Sequence, residues 1–356
     1  MYSKNKILKN LFFVLVLFII ALIFIFSLGD IKEIFNVLIH QTNYTYILAC
    51  IGLLALYFII MQLSFLILIR HKSKEISFTE AFYISGTNFF FDNITPFSSG
   101  GQPFQAYSLK QRNMKLSDST SILLQNFISY QIGINVIFAI FLGCFYNKLA
   151  SQIDNFMWLV FISYSINLII MLFLLLIGCT KFVGNGLVKM LRGLSRIKFL
   201  NKLLEPRIPK FEIYVSETQR DFKSMKNNIG LIVINFILKL IALFIYYSIP
   251  FFICRAIGVS LDIKEIFYIM AITCTALTVT IWVPTPGAVG GVELAFTLLF
   301  STFLVGYDNI EGITLSAMLL WRLITYYLVI VYGFIMYILF ERDNRKNPII
   351  SDATED

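Results

Sequence analysis

The stretch VPTPGAVGGVE, residues 283–293, places two prolines, three glycines and a carboxylate inside an apolar region. It is preceded by FYIMAITCTALTVTIW and followed by LAFTLLFSTFLV, which are both typical of helices that cross a bilayer. Pro and Gly interrupt helices, and non-helical backbone at membrane depth is tolerated only where it is buried in protein or lines a polar cavity. The stretch therefore predicts a broken helix beside such a cavity.

The composition around this stretch is that of an all-α polytopic membrane protein. Of 356 residues, 58% are hydrophobic and 14% are charged, and apolar runs of about twenty residues, the length of a spanning helix, recur along the chain. The five cysteines have no paired spacing and only two histidines are present, so no disulfide framework and no metal site is predicted. No phosphate-binding or dinucleotide-binding motif occurs, and no cofactor is expected.

Six apolar spans and the positions of Lys and Arg predict the topology. Basic residues cluster before the first span, after the second and after the fourth, so the positive-inside rule places both termini in the cytoplasm of a plasma-membrane protein. The loops 30–45, 146–155 and 305–311 are poor in Lys and Arg and are predicted to lie outside. The predicted spans are 11–29, 46–69, 119–145, 156–178, 229–254 and 312–340.

Two further apolar segments, 78–113 and 264–304, each have both ends on one predicted face of the membrane. Their helix breakers, ITPFSSGGQP and VPTPGAVGG, lie in the middle. We therefore predict two re-entrant helical hairpins, one from each side. A full crossing by all four arms has the same charge balance and stays open as an alternative. Residues 1–342 then form one membrane domain, and 343–356 form a short polar tail.

The two segments also resemble each other. SFTEAFYI (77–84) and DIKEIFYI (262–269) share a Glu-x-Phe-Tyr-Ile pattern, and each is followed by an apolar arm, a proline, a Gly-Gly pair and a polar residue. Equivalent pieces that enter from opposite faces indicate an inverted-topology repeat, which in secondary transporters holds substrate near the midplane. The Gly-Gly pairs and the polar residues after them are Gly100, Gly101 and Gln102, and Gly290, Gly291 and Glu293.

The candidate substrate path combines the hairpin tips with ionisable residues inside the membrane. Helix ends at the tips would offer free N–H groups to an anion such as a phosphate; alternatively, Pro and Gly only let the hairpins turn and pack. Charged residues at this depth cost roughly 3 kcal/mol each unless paired or hydrated, so the two acids and two bases form either two structural ion pairs or a hydrated path for a zwitterionic or anionic headgroup. The candidate residues are Asp92, Pro96, Gly100, Gly101, Gln102, Lys239, Pro284, Pro286, Gly287, Gly290, Gly291, Glu293 and Arg322.

The basic segment, residues 181–228, is predicted to be cytoplasmic and amphipathic. KFVGNGLVKMLRGLSRIKFLNKLL places apolar residues at helical intervals, EPRIPK interrupts the pattern, and a second helix leads to the fifth span. Basic residues between the apolar ones suit an anionic leaflet, so a membrane surface is the expected partner; nucleic acid is the alternative, and no direct nucleic-acid partner is expected. The residues are Lys189, Arg192, Arg196 and Lys198.

TPFSSGGQPFQAYSLKQR, VPTPGAVGGVELAF and LLWRLITYYLVIVYG resemble the membrane region of the lysylphosphatidylglycerol synthase (multiple peptide resistance factor) family, also described as a flippase-like domain. The resemblance covers about residues 1–342. It implies movement of aminoacylated phosphatidylglycerol to the outer leaflet, and a link to resistance against cationic peptides. In full-length synthases a separate soluble domain transfers lysine from charged tRNA to the lipid, and no such domain is expected after residue 340. Related first hairpins often carry Glu at the position of Gln102, from which this chain departs.

Two functions are therefore expected from different classes. The first is translocation of a phospholipid or an aminoacylated phosphatidylglycerol-type headgroup between leaflets. The alternative is a phosphatidylglycerol lysyltransferase, acting alone or with a soluble partner. A scaffold for envelope-lipid enzymes is a third interpretation. The expected partners are an anionic phospholipid, the membrane, and a soluble aminoacyltransferase or an envelope-lipid enzyme.

Overall fold

Helices form nearly all of the chain that the structure describes, as the apolar runs predict. The computed structural model describes residues 36–153, 156–196, 201, 205, 208–224, 228–307 and 309–346, and in these ranges the chain forms no β-strand. The helices are α1 Tyr44–Lys72, α2 Phe78–Asn93, α3 Gly101–Lys110, α4 Leu116–Ile153, α5 Met157–Cys179, α6 Lys181–Ser195, α7 Ile208–Ser224, α8 Ile229–Ala256, α9 Ile266–Thr280, α10 Gly291–Phe303, α11 Ile310–Arg322 and α12 Leu328–Lys346. A π-helical turn, Leu323–Tyr327, joins α11 to α12.

Six helical stretches of the described residues are long and apolar enough to cross a bilayer. They are Tyr44–Lys72, Leu116–Ile153, Met157–Leu176, Ile229–Ala256, Ile263–Thr280 and Ile310–Arg345. Five of them correspond to predicted spans, which confirms a polytopic helical protein. The remaining predicted span, 11–29, lies outside the described residues. The additional stretch, Ile263–Thr280, is the first arm of the predicted second hairpin.

One predicted loop is wrong. Residues 146–155 were expected to connect two spans, but α4 continues to Ile153. The stretch YNKLASQI contains no Pro or Gly and includes Lys, Leu and Ala, which favour helix, so nothing ends α4 where its apolar run ends.

Helices α1 and α8 lie antiparallel along their whole length. A contact made further along the sequence of α1 involves a residue that is earlier in α8 by the same number of positions. The contacts that show this connect Asn43 with Ala256, Cys50 with Ile249, Ser64 with Asn235, and His71 with Asn228. The start of each helix therefore meets the end of the other, which is the arrangement that an inverted repeat requires of equivalent helices.

The helices that follow α1 and α8 also begin in the same way. Glu80 accepts a hydrogen bond from the backbone N–H of Ser77 at 2.8 Å, and Glu265 accepts one from Asp262 at 2.9 Å. Both are capping boxes, which satisfy donors that the first turn of a helix leaves free. The capping residues Ser77 and Asp262 are as far apart in the sequence as Tyr44 and Ile229, which are the first residues of α1 and α8. The glutamates in the shared sequence pattern are therefore helix-start residues.

The two helical hairpins, α2–α3 and α9–α10, have their bases at opposite ends of the bundle. At the first base, Arg112 lies 3.0 Å from Glu80. At the second base, the Tyr307 hydroxyl donates to the carbonyl of Ser260 at 2.7 Å. Helix α1 starts beside the second base and ends beside the first. Each hairpin therefore starts and finishes at the same end of the bundle, and the two hairpins start from opposite ends. How deeply the hairpins enter a bilayer stays a prediction.

The last helix packs closely along the first hairpin. A Cβ atom at Gly333 would meet the backbone of Phe89 and Phe90, so α12 and α2 touch almost backbone to backbone. Small residues permit such close approach between membrane helices. At the base, Arg112 also donates to Asp343 at 2.9 Å, so the helical part of the chain extends past residue 342 and secures the hairpin.

The basic segment forms two helices, α6 and α7, with an interruption between them as predicted. Lys189, Arg192 and Arg196 are exposed, and Arg192 forms an ion pair with Glu212 of α7. Lys198 lies outside the described residues. Two of the four predicted surface cations, Lys189 and Arg196, therefore remain exposed without an ion pair among the described residues.

Candidate functional site

Both hairpin tips make the same backbone turn. Their sequences, TPFSSGG at 95–101 and TPGAVGG at 285–291, share the form Thr-Pro-x-x-x-Gly-Gly. In the turns 96–99 and 286–289, the fourth N–H donates to the first carbonyl at 3.3 Å. The two central residues have φ of 54° at Phe97 and 49° at Ser98, and of 60° at Gly287 and 52° at Ala288. Positive φ at both central positions defines a type I′ turn, so the repeat extends to the tips.

The two tips touch each other. Pro96 and Pro286 pair as in an antiparallel ladder, in an isolated bridge. The hydroxyl of Tyr326 lies at the same junction, 3.1 Å from the carbonyl oxygen of Asn93 and 3.4 Å from that of Pro286. The structure therefore brings the breakers of the two predicted hairpins to one place in the middle of the bundle.

A buried ion pair holds the second tip. Glu293 Oε1 lies 2.7 Å from Arg322 Nε, and the two residues are 0% and 5% exposed. The other carboxylate oxygen of Glu293 accepts from the N–H of Gly290 at 2.7 Å. Arg322 also donates to the carbonyl of Gly287 at 3.1 Å. Carboxylate and guanidinium thus both hold the turn, and one of the two structural ion pairs considered from the sequence is formed.

Gly287 is required where it stands. Its φ of 60° is left-handed, and a Cβ atom there would overlap the ring of Tyr326. That ring is itself fixed, since it is buried and the guanidinium carbon of Arg322 lies 4.2 Å from its centre. The second tip is therefore packed against a rigid aromatic surface.

Asp92 performs a similar capping role in the first tip. One of its oxygens accepts from the N–H of Gly101 at 2.8 Å and the other from the amide of Asn88 at 2.6 Å. Among the described residues, no Lys or Arg forms an ion pair with it. The second ion pair considered from the sequence is thus not formed in the described part of the chain, because amide donors occupy the carboxylate.

The expectation of free amide donors at the tips is wrong for three of the tip glycines. The N–H groups of Gly101 and Gly290 are occupied by Asp92 and Glu293, and that of Gly100 by the hydroxyl of Thr95. The start of a helix attracts anions through its unpaired N–H groups and its dipole. Here the chain supplies these anions itself, one at each tip.

Lys239 is a basic residue buried inside the spanning helix α8. It is 2% exposed, and its ammonium contacts the sulfur of Met61 at 3.7 Å. No carboxylate in the described part of the chain pairs with it. A thioether is only a weak hydrogen-bond acceptor, so this contact does not replace a counter-ion.

A cavity of about 900 Å³ joins these features. Its wall includes residues of both tips, of α4 and of α8. Five of the predicted path residues lie on it, namely Asp92, Gln102, Lys239, Gly287 and Arg322. The other eight, Pro96, Gly100, Gly101, Pro284, Pro286, Gly290, Gly291 and Glu293, belong to the hairpin tips and do not line the cavity. The candidate residues thus divide into a lining group and a supporting group.

Tyr326, which contacts both hairpins, was not among the residues predicted from the sequence. It stands four residues after Arg322, in a chain with eighteen Tyr and thirty-six Phe, so its type did not distinguish it. The available signal was physical: a tyrosine hydroxyl buried inside a membrane span needs a hydrogen-bond partner, and Tyr326 lies in the largely apolar stretch LITYYLVI.

Comparisons with known proteins agree with this architecture. A family model described as the lysylphosphatidylglycerol synthase TM region matches residues 11–333, which include both hairpins and the six apolar helices up to residue 333. The chain is also 23% identical over 310 residues to a UPF0104 membrane protein of Archaeoglobus fulgidus, covering 83% of this chain and 86% of that protein. The chain therefore belongs to the family of the lysylphosphatidylglycerol synthase TM region.

Proposed function

We propose that this protein is a plasma-membrane lipid translocase. It moves a phospholipid, or an aminoacylated phosphatidylglycerol-type lipid, between leaflets by passing the headgroup through the cavity beside the hairpin tips. The observation that carries the proposal is Lys239, a buried ammonium on the cavity wall without a carboxylate partner among the described residues. An unpaired charge at membrane depth is costly, and a bound anion would offset that cost.

The chemistry of the cavity suits a lipid headgroup. Lysine binds phosphate as a point charge, and Lys239 lies on the cavity wall, where a headgroup would pass. Asp92 lines the same cavity and has no cationic partner in the described part of the chain. A headgroup that carries both a phosphate and an amine would therefore find one group of each sign, while its acyl chains stay in the bilayer.

The proposal includes an orientation in the membrane. The hairpins re-enter the bilayer from opposite faces, and both termini are cytoplasmic, as the Lys and Arg positions predict. Lys189 and Arg196 of the basic segment are exposed and would attract anionic lipid at the inner leaflet. Supply of lipid at that surface and passage through the cavity are then successive steps.

The test is leaflet-resolved lipid labelling in proteoliposomes. Vesicles containing fluorescent phosphatidylglycerol are treated with a membrane-impermeant quencher, and the protein makes inner-leaflet lipid accessible over time. We expect Lys239→Met to lower this rate at least about tenfold, since a loss of roughly 1.4 kcal/mol in headgroup binding already changes affinity by that factor. The same vesicles, incubated with lysyl-tRNA, test for aminoacyl transfer, which the proposal does not require.

The matched control is Lys110→Met, which removes an exposed lysine at the end of α3. It should retain the parental rate. Thermal unfolding separates function from folding, because removing an unpaired buried charge is not expected to destabilise the protein. A Lys239→Met variant that translocates lipid at the parental rate would contradict the role of Lys239, and a parental protein that exposes no more lipid than protein-free vesicles would contradict the translocase proposal.

A further inference from the structure

Tyr326 contacts both hairpin tips through a single hydroxyl group. The oxygen lies 3.1 Å from the carbonyl of Asn93 in the first hairpin and 3.4 Å from the carbonyl of Pro286 in the second. A phenol carries one proton, so it donates fully to only one of these carbonyls at a time. The shorter distance assigns the bond to Asn93, and hence to the first hairpin.

The second tip does not depend on this hydroxyl. Arg322 donates to the carbonyl of Gly287, and Glu293 binds both Arg322 and the N–H of Gly290. The ring of Tyr326, not its hydroxyl, packs against Gly287. Removing the hydroxyl would therefore leave the second tip attached to α11 and the π-helical turn.

The first tip, residues 94–101, is attached less firmly. Its described side-chain hydrogen bonds stay within its own hairpin, such as those of Gly100 to Thr95 and of Gly101 to Asp92. It meets the second tip at the bridge of Pro96 to Pro286 and through an apolar cluster that includes Ile94 and Val289. The Tyr326 hydroxyl adds a hydrogen bond from outside the hairpin to the adjoining Asn93.

The first tip is also strained. Phe97 and Ser98 adopt left-handed φ of 54° and 49°, which L residues with side chains avoid. Such conformations persist only where the surroundings hold them, and they are concentrated at sites that switch. Phe97 is 58% exposed and lines the cavity, so its own packing does not supply that hold.

We propose that Tyr326 is a positioning residue that latches the first hairpin tip to the second. When the hydroxyl releases Asn93, the first tip moves away from the fixed tip and opens the cavity beside Lys239 to the headgroup. The purpose given to this movement, which is to admit a headgroup, rests on the proposed function. The latch itself is a property of the fold that can be measured without any lipid transport.

The test is a distance measurement between spin labels in the full-length protein in vesicles. Labels are introduced through an encoded keto amino acid, because the five native cysteines would compete with thiol labelling. One label replaces Leu48, which is exposed on α1. The second replaces Ser99 in the first tip or Ile281 beside the second tip, both exposed. In Tyr326→Phe, we expect the 48–99 distances to gain a second population and the 48–281 distances to stay at the parental values.

The matched control is Tyr332→Phe, which removes a partly buried hydroxyl bonded to Gln62 and not to either tip. It should leave both distance distributions unchanged. Phe97→Gly provides a second, independent variant: relief of the left-handed strain should narrow the 48–99 distribution in a protein with Tyr326 intact. Unchanged 48–99 distances in folded Tyr326→Phe would overturn the latch, as would an equal change in both pairs.

Failure of the latch and failure of the proposed function give different results. If Tyr326→Phe frees the first tip while the parental protein exposes no more lipid than protein-free vesicles, the latch stands and the translocase proposal falls. If Lys239→Met loses translocation while Tyr326→Phe leaves the tip in place, the reverse holds. Where both stand, Tyr326→Phe should raise the translocation rate several-fold, since opening no longer requires a hydrogen bond to break.

Discussion

The two hairpins share a backbone plan and differ in what their side chains do with it. Each begins with a capping box, turns through a type I′ turn and has a carboxylate on an N–H of its second arm. In the second hairpin, that carboxylate is Glu293, which is buried and ion-paired. In the first, it is Asp92, which faces the cavity without a cation in the described part of the chain.

The comparison shows how two hairpins with the same backbone can differ in the contacts that hold them. Repetition supplies the two tips, their antiparallel meeting and the broken helices. The side chains then differ: an ion pair holds the second tip, whereas the carboxylate of the first tip accepts from amide donors. Gly287 packs against Tyr326, whereas Phe97, at the same position in the first turn, is exposed and strained. Structural symmetry in this protein therefore does not imply that both hairpins move.

The largest effect should come from breaking the ion pair of the second hairpin. Glu293→Gln leaves the Arg322 guanidinium buried without its carboxylate, and removing one partner of a buried pair costs about 3–5 kcal/mol. We expect a clear fall in the unfolding midpoint in detergent. Trp282 precedes the second tip in the chain, and Trp321 precedes Arg322 and stacks on Phe296, so tryptophan fluorescence is a suitable reporter.

Asp92→Asn is the matched variant in the first hairpin. The amide oxygen can still accept from Gly101, and no buried cation is left behind among the described residues, so the loss should be about 1 kcal/mol or less. An equal fall in midpoint for Glu293→Gln and Asp92→Asn would remove the distinction between a locked tip and a responsive one.

A smaller effect is expected at Gly287. In Gly287→Ala, the added methyl group would overlap the buried ring of Tyr326, and such overpacking costs about 1–3 kcal/mol. The control is Gly52→Ala on α1, where an added Cβ atom has no neighbour within 4 Å and alanine favours helix. Unfolding midpoints should fall for Gly287→Ala and stay level or rise for Gly52→Ala. A neutral Gly287→Ala would show that the ring yields and that the second tip is not rigid.

The sequence predicts the parts of this site more reliably than their contacts. Apolar runs of spanning length identify helices such as α1 and α8, because burial in lipid requires both length and composition. The breakers identify the tips, because Pro and Gly act locally. Which acid meets which base does not follow from the sequence, since Glu293 lies near Arg322 only through the packing of α10 against α11. For the same reason, Tyr326 was not distinguishable from other tyrosines.

The capping glutamates show a second reason for this difference. Glu80 and Glu265 resemble interfacial acids in the sequence, and their bonds to the backbone of Ser77 and Asp262 appear only once the helix starts are known. The backbone N–H groups at the tips are the opposite example, because the sequence suggests that they are free and the structure shows them occupied. A glycine-rich break before a helix predicts free donors, but whether a carboxylate of the same chain reaches them depends on the fold around it.

The smallest effect separates strain from rigidity. Phe97→Gly removes a left-handed residue with a side chain, which should stabilise the folded protein by about 1–2 kcal/mol. Glycine also raises the conformational entropy of the unfolded chain, which offsets about 0.4–1 kcal/mol of that gain. Phe97 is exposed, so little packing is lost. We expect the unfolding midpoint to rise slightly. A marked fall would mean that the Phe97 side chain holds the first tip in place, and the two hairpins would then be equally fixed by different residues.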